Sequence, residues 1–360
     1  MKVCIIGNGL VSLTLANMLI KKNLSIDIIF SNKNKRYNRT STLGISKSNI
    51  DYFNKEIISI KKILWEIKKI QISSENLSNN EILKFTNDKK QIFSIVKNHK
   101  LHEILNKNLK KSKFVKFKYD KNYKSIINNK YKLIINCDPN HKISKLFSSG
   151  RFEKDYNSYA YTAIINHKKV STNNTAFQNF TKNGPIAFLP FSNYETSVVY
   201  SLRFNKDKKK KDIKNLIKKF NPIYSITKIN DCVRFALKSS SPRKYYKNNI
   251  LAFGDLLHKI HPLAGQGFNM SLRDIKLLSK LIDERINIGL DLDVSLFHDF
   301  QKKSQDKNYI FSSGIDWIYE LFNFESKINT KLISKIINII GKNKSINSFF
   351  KKFADSGVRI

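Results

Sequence analysis

Two glycine-bearing stretches hold the residues whose types and spacing could do chemistry. The first is Gly7-Asn8-Gly9-Leu10-Val11-Ser12. Paired glycines let a backbone come close to a diphosphate, and the N–H groups of a following helix start attract its charge. Ser12 stands where a third glycine is usual in such a turn. The second stretch runs Gly254-Asp255-Leu256-Leu257-His258-Lys259-Ile260-His261-Pro262-Leu263-Ala264-Gly265-Gln266-Gly267-Phe268-Asn269 and continues through Leu272-Arg273-Asp274. Asp255, at a strand end, is placed to accept hydroxyl hydrogen bonds from a polyol. Gly265-Gln266-Gly267 opens a helix whose N–H groups would face an anion. His258 and His261 are three apart, but no cysteine lies nearby and Pro262 interrupts the segment, so no metal site is expected.

These loops need elements to position them. Val3-Cys4-Ile5-Ile6 is a continuous apolar run, as in a strand buried on both faces. Helical spacing follows from Leu10 to Ile20, and Ile26-Asp27-Ile28-Ile29-Phe30 reads as a second strand. Ser31-Asn32 occupies the place where a carboxylate would hold ribose hydroxyls, and Asn32 is the substitute donor and acceptor. Residues 57–70 read as helical and 101–109 as a short amphipathic helix. Leu133-Ile134-Ile135 and Ile250-Leu251-Ala252-Phe253 read as further buried strands. From about 157 to 237 the texture is alternating and aromatic-rich, which predicts antiparallel sheet. A long helix is expected from about 269 to 286, and helices again from 306 onwards.

Composition narrows the class. The 360 residues include 66 Lys+Arg against 28 Asp+Glu, a net charge of +38. That balance attracts polyanions, yet lysine is spread along the whole chain and no nucleic-acid recognition motif accompanies it. The run 206–211 reads as a solvated turn and helix start. Cys4, Cys137 and Cys232 are far apart, which argues against a zinc ribbon or a disulfide framework and suits a reducing compartment. No run of apolar residues reaches a spanning length. Lys2 and the stretch to Ile20 imitate a signal peptide, but Gly7, Asn8 and Gly9 interrupt it and no cleavage site follows Lys21 and Lys22.

The 254–274 stretch resembles the second FAD motif of flavin-dependent aromatic hydroxylases of the para-hydroxybenzoate hydroxylase fold. Within them it is most similar to the ubiquinone-biosynthesis monooxygenases that hydroxylate polyprenylphenols. The match keeps Gly254, Asp255, His258, His261, Pro262, Ala264, Gly265, Gln266, Gly267, Asn269 and Asp274; it departs at Leu256, Leu257 and Ser271. Gly184-Pro185-Ile186-Ala187-Phe188-Leu189-Pro190, preceded by Ala176-Phe177 and Phe180-Thr181, is similar to the family's substrate-sheet block and forms a joint signal with the 254–274 stretch; Arg39-Thr40-Ser41-Thr42-Leu43 and the stretch 93–105 are supporting matches. Asp138-Pro139 matches a family Asp-Gly loosely, which leaves nicotinamide binding weakly marked.

The resemblance implies an α/β fold: a Rossmann-like FAD-binding domain, an inserted mixed or antiparallel sheet forming a substrate domain, and a C-terminal helical tail. The expected boundaries are 1–66, 93–150 and 243–304 for the FAD domain, 67–92 and 151–242 for the substrate domain, and 305–360 for the tail. It implies FAD as cofactor, with NAD(P)H as electron donor and O2 as co-substrate. Reduced flavin and oxygen give a hydroperoxide whose distal oxygen an electron-rich ring attacks. Gly7, Gly9, Leu10, Val11, Asn32 and Arg39 would hold the adenine-diphosphate half. Asp255, Gly265, Gln266, Gly267 and Asn269 would serve the ribityl chain and flavin ring. Pro262, Leu263, Phe188, Leu189 and Pro190 would line the substrate pocket, with no side chain acting as acid or base.

Other ligands on the same fold stay open: a small phenol, a prenyl reductase substrate, or FAD held without turnover. A nucleic-acid-binding protein is the remote alternative. Polyprenylphenols do not dissolve in water, so a peripheral site on the inner face of an anionic membrane is expected, reached from the cytoplasm, with other ubiquinone-biosynthesis proteins as possible partners. The basic segment 331–359 could provide it, each lysine near the surface contributing about 1 kcal/mol. Alternatively Ile333, Ile336, Ile337 and Ile340 pack it against the flavin domain with its lysines merely in solvent, or it packs inward and only Phe349, Phe350 and Phe353 face lipid.

Overall fold

The computed structural model describes residues 2–31, 41–77, 79–87, 91–120, 126, 131–203, 212–328, 334–337, 339 and 343–357. Asn32, Arg39 and the basic run 206–211 lie outside them. Residues 2–30 form the expected unit of β1 (Lys2–Ile6), α1 (Leu10–Ile20) and β2 (Ser25–Phe30). The strands pair in parallel, Val3 opposite Ile26 and Ile5 opposite Ile28. Val3, Cys4, Ile5 and Ile6 are all buried, because layers cover both faces of a parallel sheet.

That sheet has six strands. β8 (Val115–Tyr119) flanks β2, while β9 (Leu133–Asn136) and β17 (Ile250–Ala252) extend it beyond β1. A two-residue strand, β16 (Tyr246–Lys247), closes the far edge antiparallel to β17. On one face α1 packs against α3 (Asn98–Lys110), the amphipathic helix expected at 101–109. Asn17 joins the two helices: its amide donates to Leu13 O at 2.7 Å and Leu105 O at 3.2 Å, and accepts from Asn108 at 2.7 Å.

Asp27 stands fully buried in the middle of β2. Its Oδ2 receives Lys118 at 2.6 Å, Tyr131 Oη at 2.5 Å and Lys2 at 2.9 Å. Burial pushes the carboxyl pKa up, but the three donors outweigh it and hold it below the usual carboxylate range. A lowered pKa contributes stability that is present above about pH 4 and lost as pH falls through the folded value. Asp27→Asn is expected to cost about 3 kcal/mol at neutral pH and to flatten the acid limb of stability below pH 4. Urea denaturation at several pH values checks this; an unchanged acid limb would contradict the assignment.

The second sheet is built on the long β10 (Arg151–His167). Its order is β14 (Ile226–Ile229), β10, β13 (Glu195–Arg203), β12 (Gly184–Pro190), β11 (Thr175–Thr181), β5 (Lys69–Ser74) and β6 (Asn80–Thr86). β15 (Val233–Pro242) also pairs with β10. All pairs are antiparallel except β11 with β5. One face is covered by α4 (Ile213–Lys219), where Ile217 and Phe220 pack on Ile186, Phe188, Val198 and Tyr200.

A third, small sheet joins β3 (Thr42–Ser46), β7 (Phe93–Lys97) and β4 (Trp65–Ile67). This corrects the helix expected over 57–70. Only a π turn, Phe53–Ile57, and a 3-10 turn, Lys61–Ile63, are helical there. Ile95 opposite Trp65 and Phe93 opposite Ile67 supply cross-strand partners, and such pairing overrides a weak local preference.

Three helices follow: α5 (Gln266–Asn287), α6 (Val294–Lys327) and α7 (Lys344–Ser356). α6 begins earlier than the expected 306 because Asp293 caps it, its carboxylate accepting Ser295 N at 2.9 Å. α7 docks inward. Phe353 stacks on Phe311 at 4.9 Å, and Asp355 accepts Ser48 N at 2.9 Å. The α/β class, with a separate largely antiparallel sheet and C-terminal helices, is borne out.

Candidate functional site

β1 delivers the chain to Gly7, whose φ is +108° and whose N–H donates to Ile29 O at 2.7 Å. A Cβ here would lie 3.2 Å from both Asp138 Cβ and Ser12 Oγ, so glycine is required for backbone conformation and for space. Gly9 takes the N-cap position of α1 without a side-chain cap, and the first turn holds no acid. The N–H groups of Leu10 and Val11 therefore have no intrahelical acceptor, and the positive end of the helix is uncompensated.

The second stretch meets the first directly. β17 leads into Gly254, which turns at φ +62°; a Cβ there would come within 3.1 Å of Val11 Cγ1. Asp255 follows in a 3-10 turn, exposed, with no hydrogen-bond or ion-pair partner among the described residues. Further on, Gly265 adopts φ +63° and donates to Pro262 O at 3.1 Å. A Cβ on it would lie 3.7 Å from Gly44 N of β3. α5 then starts at Gln266 with no acid in its first turn. The uncapped start of α1 and the free carboxylate of Asp255 thus lie at the ends of β1 and β17, while the uncapped start of α5 lies against β3.

Side chains of the second stretch hold this arrangement. Asn269 is spent on protein: it accepts Ser46 N at 2.9 Å and Asn49 Nδ2 at 3.0 Å, and donates to Gly44 O at 2.9 Å. Expected among the cofactor contacts, it instead fastens β3 and α2 (Lys47–Tyr52) to α5. Gln266 Oε1 is buried and has no partner among the described residues. His258 Nε2 meets Asp274 Oδ2 at 2.5 Å, and Asn308 of α6 donates to the other oxygen at 3.1 Å. No group of three metal-capable side chains occurs among the described residues.

His261 is buried; its Nδ1 accepts Leu263 N at 3.1 Å, so the proton sits on Nε2. Tyr319 lies against the ring at 4.3 Å and Tyr156 meets it edge-on at 4.9 Å. Burial pushes its pKa down to about 4, so the ring is neutral at pH 7. Between about pH 6.5 and 4 the unfolded chain binds a proton that the folded one does not, so stability falls as pH falls through that window. The loss at this residue is about 3 kcal/mol, and His141, also pushed down by burial, adds to it. His261→Phe is expected to remove much of this slope. Thermal unfolding between pH 7 and 4.5 measures it; a variant with the parental slope would refute the account.

The pocket residues fall differently from expectation. Along β12 the side chains alternate faces. Phe188 belongs to the core beneath α4, whereas Leu189 packs with Ile67, Ile95 and Phe191 toward the small sheet. Phe188 and Leu189 therefore cannot roof one pocket together. Leu263 shares its cluster with Phe180, Ile82, Met270, Phe311, Ile315 and Phe322. Those neighbours were not anticipated, since they come from β11, β6, α5 and α6 and carry no common sequence signal.

Comparison with solved structures places this architecture among FAD-dependent aromatic hydroxylases in fold. A p-nitrophenol 4-monooxygenase from Pseudomonas putida DLL-E4 superposes with a TM-score of 0.76 at 12% identity, covering 99% of this chain and 98% of that one. HpxO from Klebsiella pneumoniae, solved with FAD and uric acid, gives 0.76 at 10% identity, covering 99% and 97%. A family model described as an FAD binding domain matches residues 147–287. In sequence the chain is similar to ubiquinone-biosynthesis monooxygenases. It is 23% identical over 235 residues to mitochondrial COQ6 of Danio rerio, covering 53% of this chain and 48% of that protein. It is 29% identical over 157 residues to 3-demethoxyubiquinol 3-hydroxylase of Escherichia coli K12, covering 41% and 40%. The chain spans about half the length, or less, of these curated relatives. The motif resemblance read from residues 254–274 is thereby borne out.

Proposed function

We propose that the chain is an FAD-dependent monooxygenase that hydroxylates the aromatic ring of a polyprenylphenol in ubiquinone biosynthesis. The observation that carries this is the meeting of the two glycine loops at Gly254 and Val11, with Asp255 unpaired beside an uncapped helix start. The site fits FAD: Gly7 leaves a cradle that a Cβ would fill, and Gln266 Oε1 is a buried acceptor without a partner. When bound, FAD would supply the activation of O2, with electrons from NAD(P)H.

The protein's own part is binding, orientation and exclusion of water. Gly7, Gly9 and the N–H groups of Leu10 and Val11 hold the diphosphate. Asp255 accepts from ribityl hydroxyls. Gly265 shapes the turn, and Gln266 and Gly267 present backbone N–H groups to the edge of the flavin ring that gains electron density on reduction. Pro262 and Leu263 line the substrate side, and Phe180, Phe311 and Phe322 keep it apolar. The flavin unit comprises 1–66, 93–150 and 243–304, the substrate unit 67–92 and 151–242, and the C-terminal helices 305–360. No helix among the described residues is long and apolar enough to cross a membrane, in keeping with peripheral attachment at the cytoplasmic side of an inner membrane.

The test is an absorbance spectrum of the purified protein, then turnover with NAD(P)H and a short-chain prenylphenol. Near-stoichiometric oxidised flavin and a product one oxygen atom heavier are expected. A protein that neither carries flavin nor takes it up would overturn the reading.

A further inference from the structure

We propose that the outer face of α6 is the surface by which this protein docks on an anionic lipid bilayer. Ile310, Trp317, Leu321, Phe324 and Ile328 recur at helical spacing along it. Trp317 is 71% exposed and Phe324 57%. The opposite face of the same helix buries Phe311, Ile315, Tyr319 and Phe322. A soluble surface helix needs one apolar face, so a second, solvent-exposed one marks an unfilled contact. Tyr309 and Phe152 of β10 extend the patch, their rings 6.4 Å apart and both exposed.

Charge and chemistry select the occupant. Lys302 and Lys307 precede the stripe and Lys327 stands at its carboxyl end, all exposed; Asp306 is the exposed carboxylate at its amino end. The two acids beside Trp317 are engaged: Asp316 accepts from Tyr156 Oη, and Glu320 pairs with Lys154 at 2.9 Å. At +38 the chain repels a second copy of itself but is drawn to anionic headgroups. Indole and phenol rings favour the boundary between headgroups and hydrocarbon. Phe353 of α7 is taken up on Phe311 instead.

The position of the face also suits lipid, a point that rests on the hydroxylase reading. Asp316 holds Tyr156, whose ring touches His261 next to Pro262 and Leu263. A prenyl chain leaving the bilayer at Trp317 would therefore enter one ring away from the proposed substrate side.

The chain has two tryptophans, and Trp65 is tied by its indole N–H to Asn173 O at 2.7 Å. In a Trp65→Phe variant, Trp317 alone reports. Vesicles containing about a third phosphatidylglycerol are expected to shift its emission to the blue and to pellet the protein. Brominated acyl chains should quench it. A Trp317→Glu, Leu321→Glu, Phe324→Glu triple variant is expected to pellet about tenfold less while keeping its melting temperature and flavin content. Equal pelleting of the triple variant, or an unmoved Trp317 spectrum, overturns the proposal. So does a dimer in light scattering that the triple variant dissolves while pelleting is unaltered, which would assign the face to a second copy. Pelleting needs neither flavin nor turnover, so its failure is distinguishable from failure of the hydroxylase reading.

Discussion

An Asp255→Ala variant is expected to purify folded and nearly colourless. The carboxylate is exposed and makes no bond to the described residues, so folding stability should move by no more than about 0.5 kcal/mol. Its proposed partners are ribityl hydroxyls, and hydrogen bonds to a charged acceptor contribute about 1.5–3 kcal/mol each. Losing two weakens FAD binding by roughly 10²–10⁴-fold. The ratio of flavin to protein absorbance, with circular dichroism on the same sample, measures both halves. Full flavin occupancy in the variant would remove Asp255 from the site.

Gly184→Ala is expected to have the larger effect on folding. Gly184 opens β12 at φ +127°, where an alanine is strained, and a Cβ would sit 2.0 Å from Ser201 O of β13. That oxygen belongs to paired backbone and cannot swing aside, so the strands must part. Thr181 Oγ1, which donates to Gly184 O at 2.6 Å, would lose its acceptor geometry. The sum is about 4 kcal/mol or more, enough to unfold many domains outright. Gly289→Ala is the control: φ is +70° but nothing lies within 4 Å of its would-be Cβ, so only backbone strain of about 1 kcal/mol is expected. Denaturation midpoints separate the two; similar midpoints would refute the steric account.

The parts legible in the sequence were those with a local cause. β1, α1 and β2 follow from an apolar run, two glycines and a helical period. α5 follows from Gly265-Gln266-Gly267 and the stripe after it. Residues 57–70 misled because Ile57, Ile60, Ile63 and Leu64 are spaced as on a helix, whereas the strands that follow them, β4 and the start of β5, take their partners β7, β6 and β11 from elsewhere in the chain. Alternation along β12 was visible, but which parity lay beneath α4 was not: Phe188 lies there, while Leu189 packs toward the small sheet. Asp27 illustrates the same limit: its donors Lys2, Lys118 and Tyr131 come from three segments that no spacing rule connects.

The order of strands in the parallel sheet also governs how the chain is made. β1 lies between β2, next to it in sequence, and β9, with β17 beyond. The loop at Gly7 therefore cannot acquire its neighbour at Gly254 until most of the polypeptide has left the ribosome, roughly ten to fifty seconds after β1 emerges at ordinary elongation rates. For about the first half of that interval, until β8 and β9 emerge, Val3, Ile5, Ile26 and Ile28 have an unpaired edge and uncovered faces. Nascent chains should consequently depend on chaperones that shield apolar segments, and refolding from denaturant should be slow and prone to aggregation for its size.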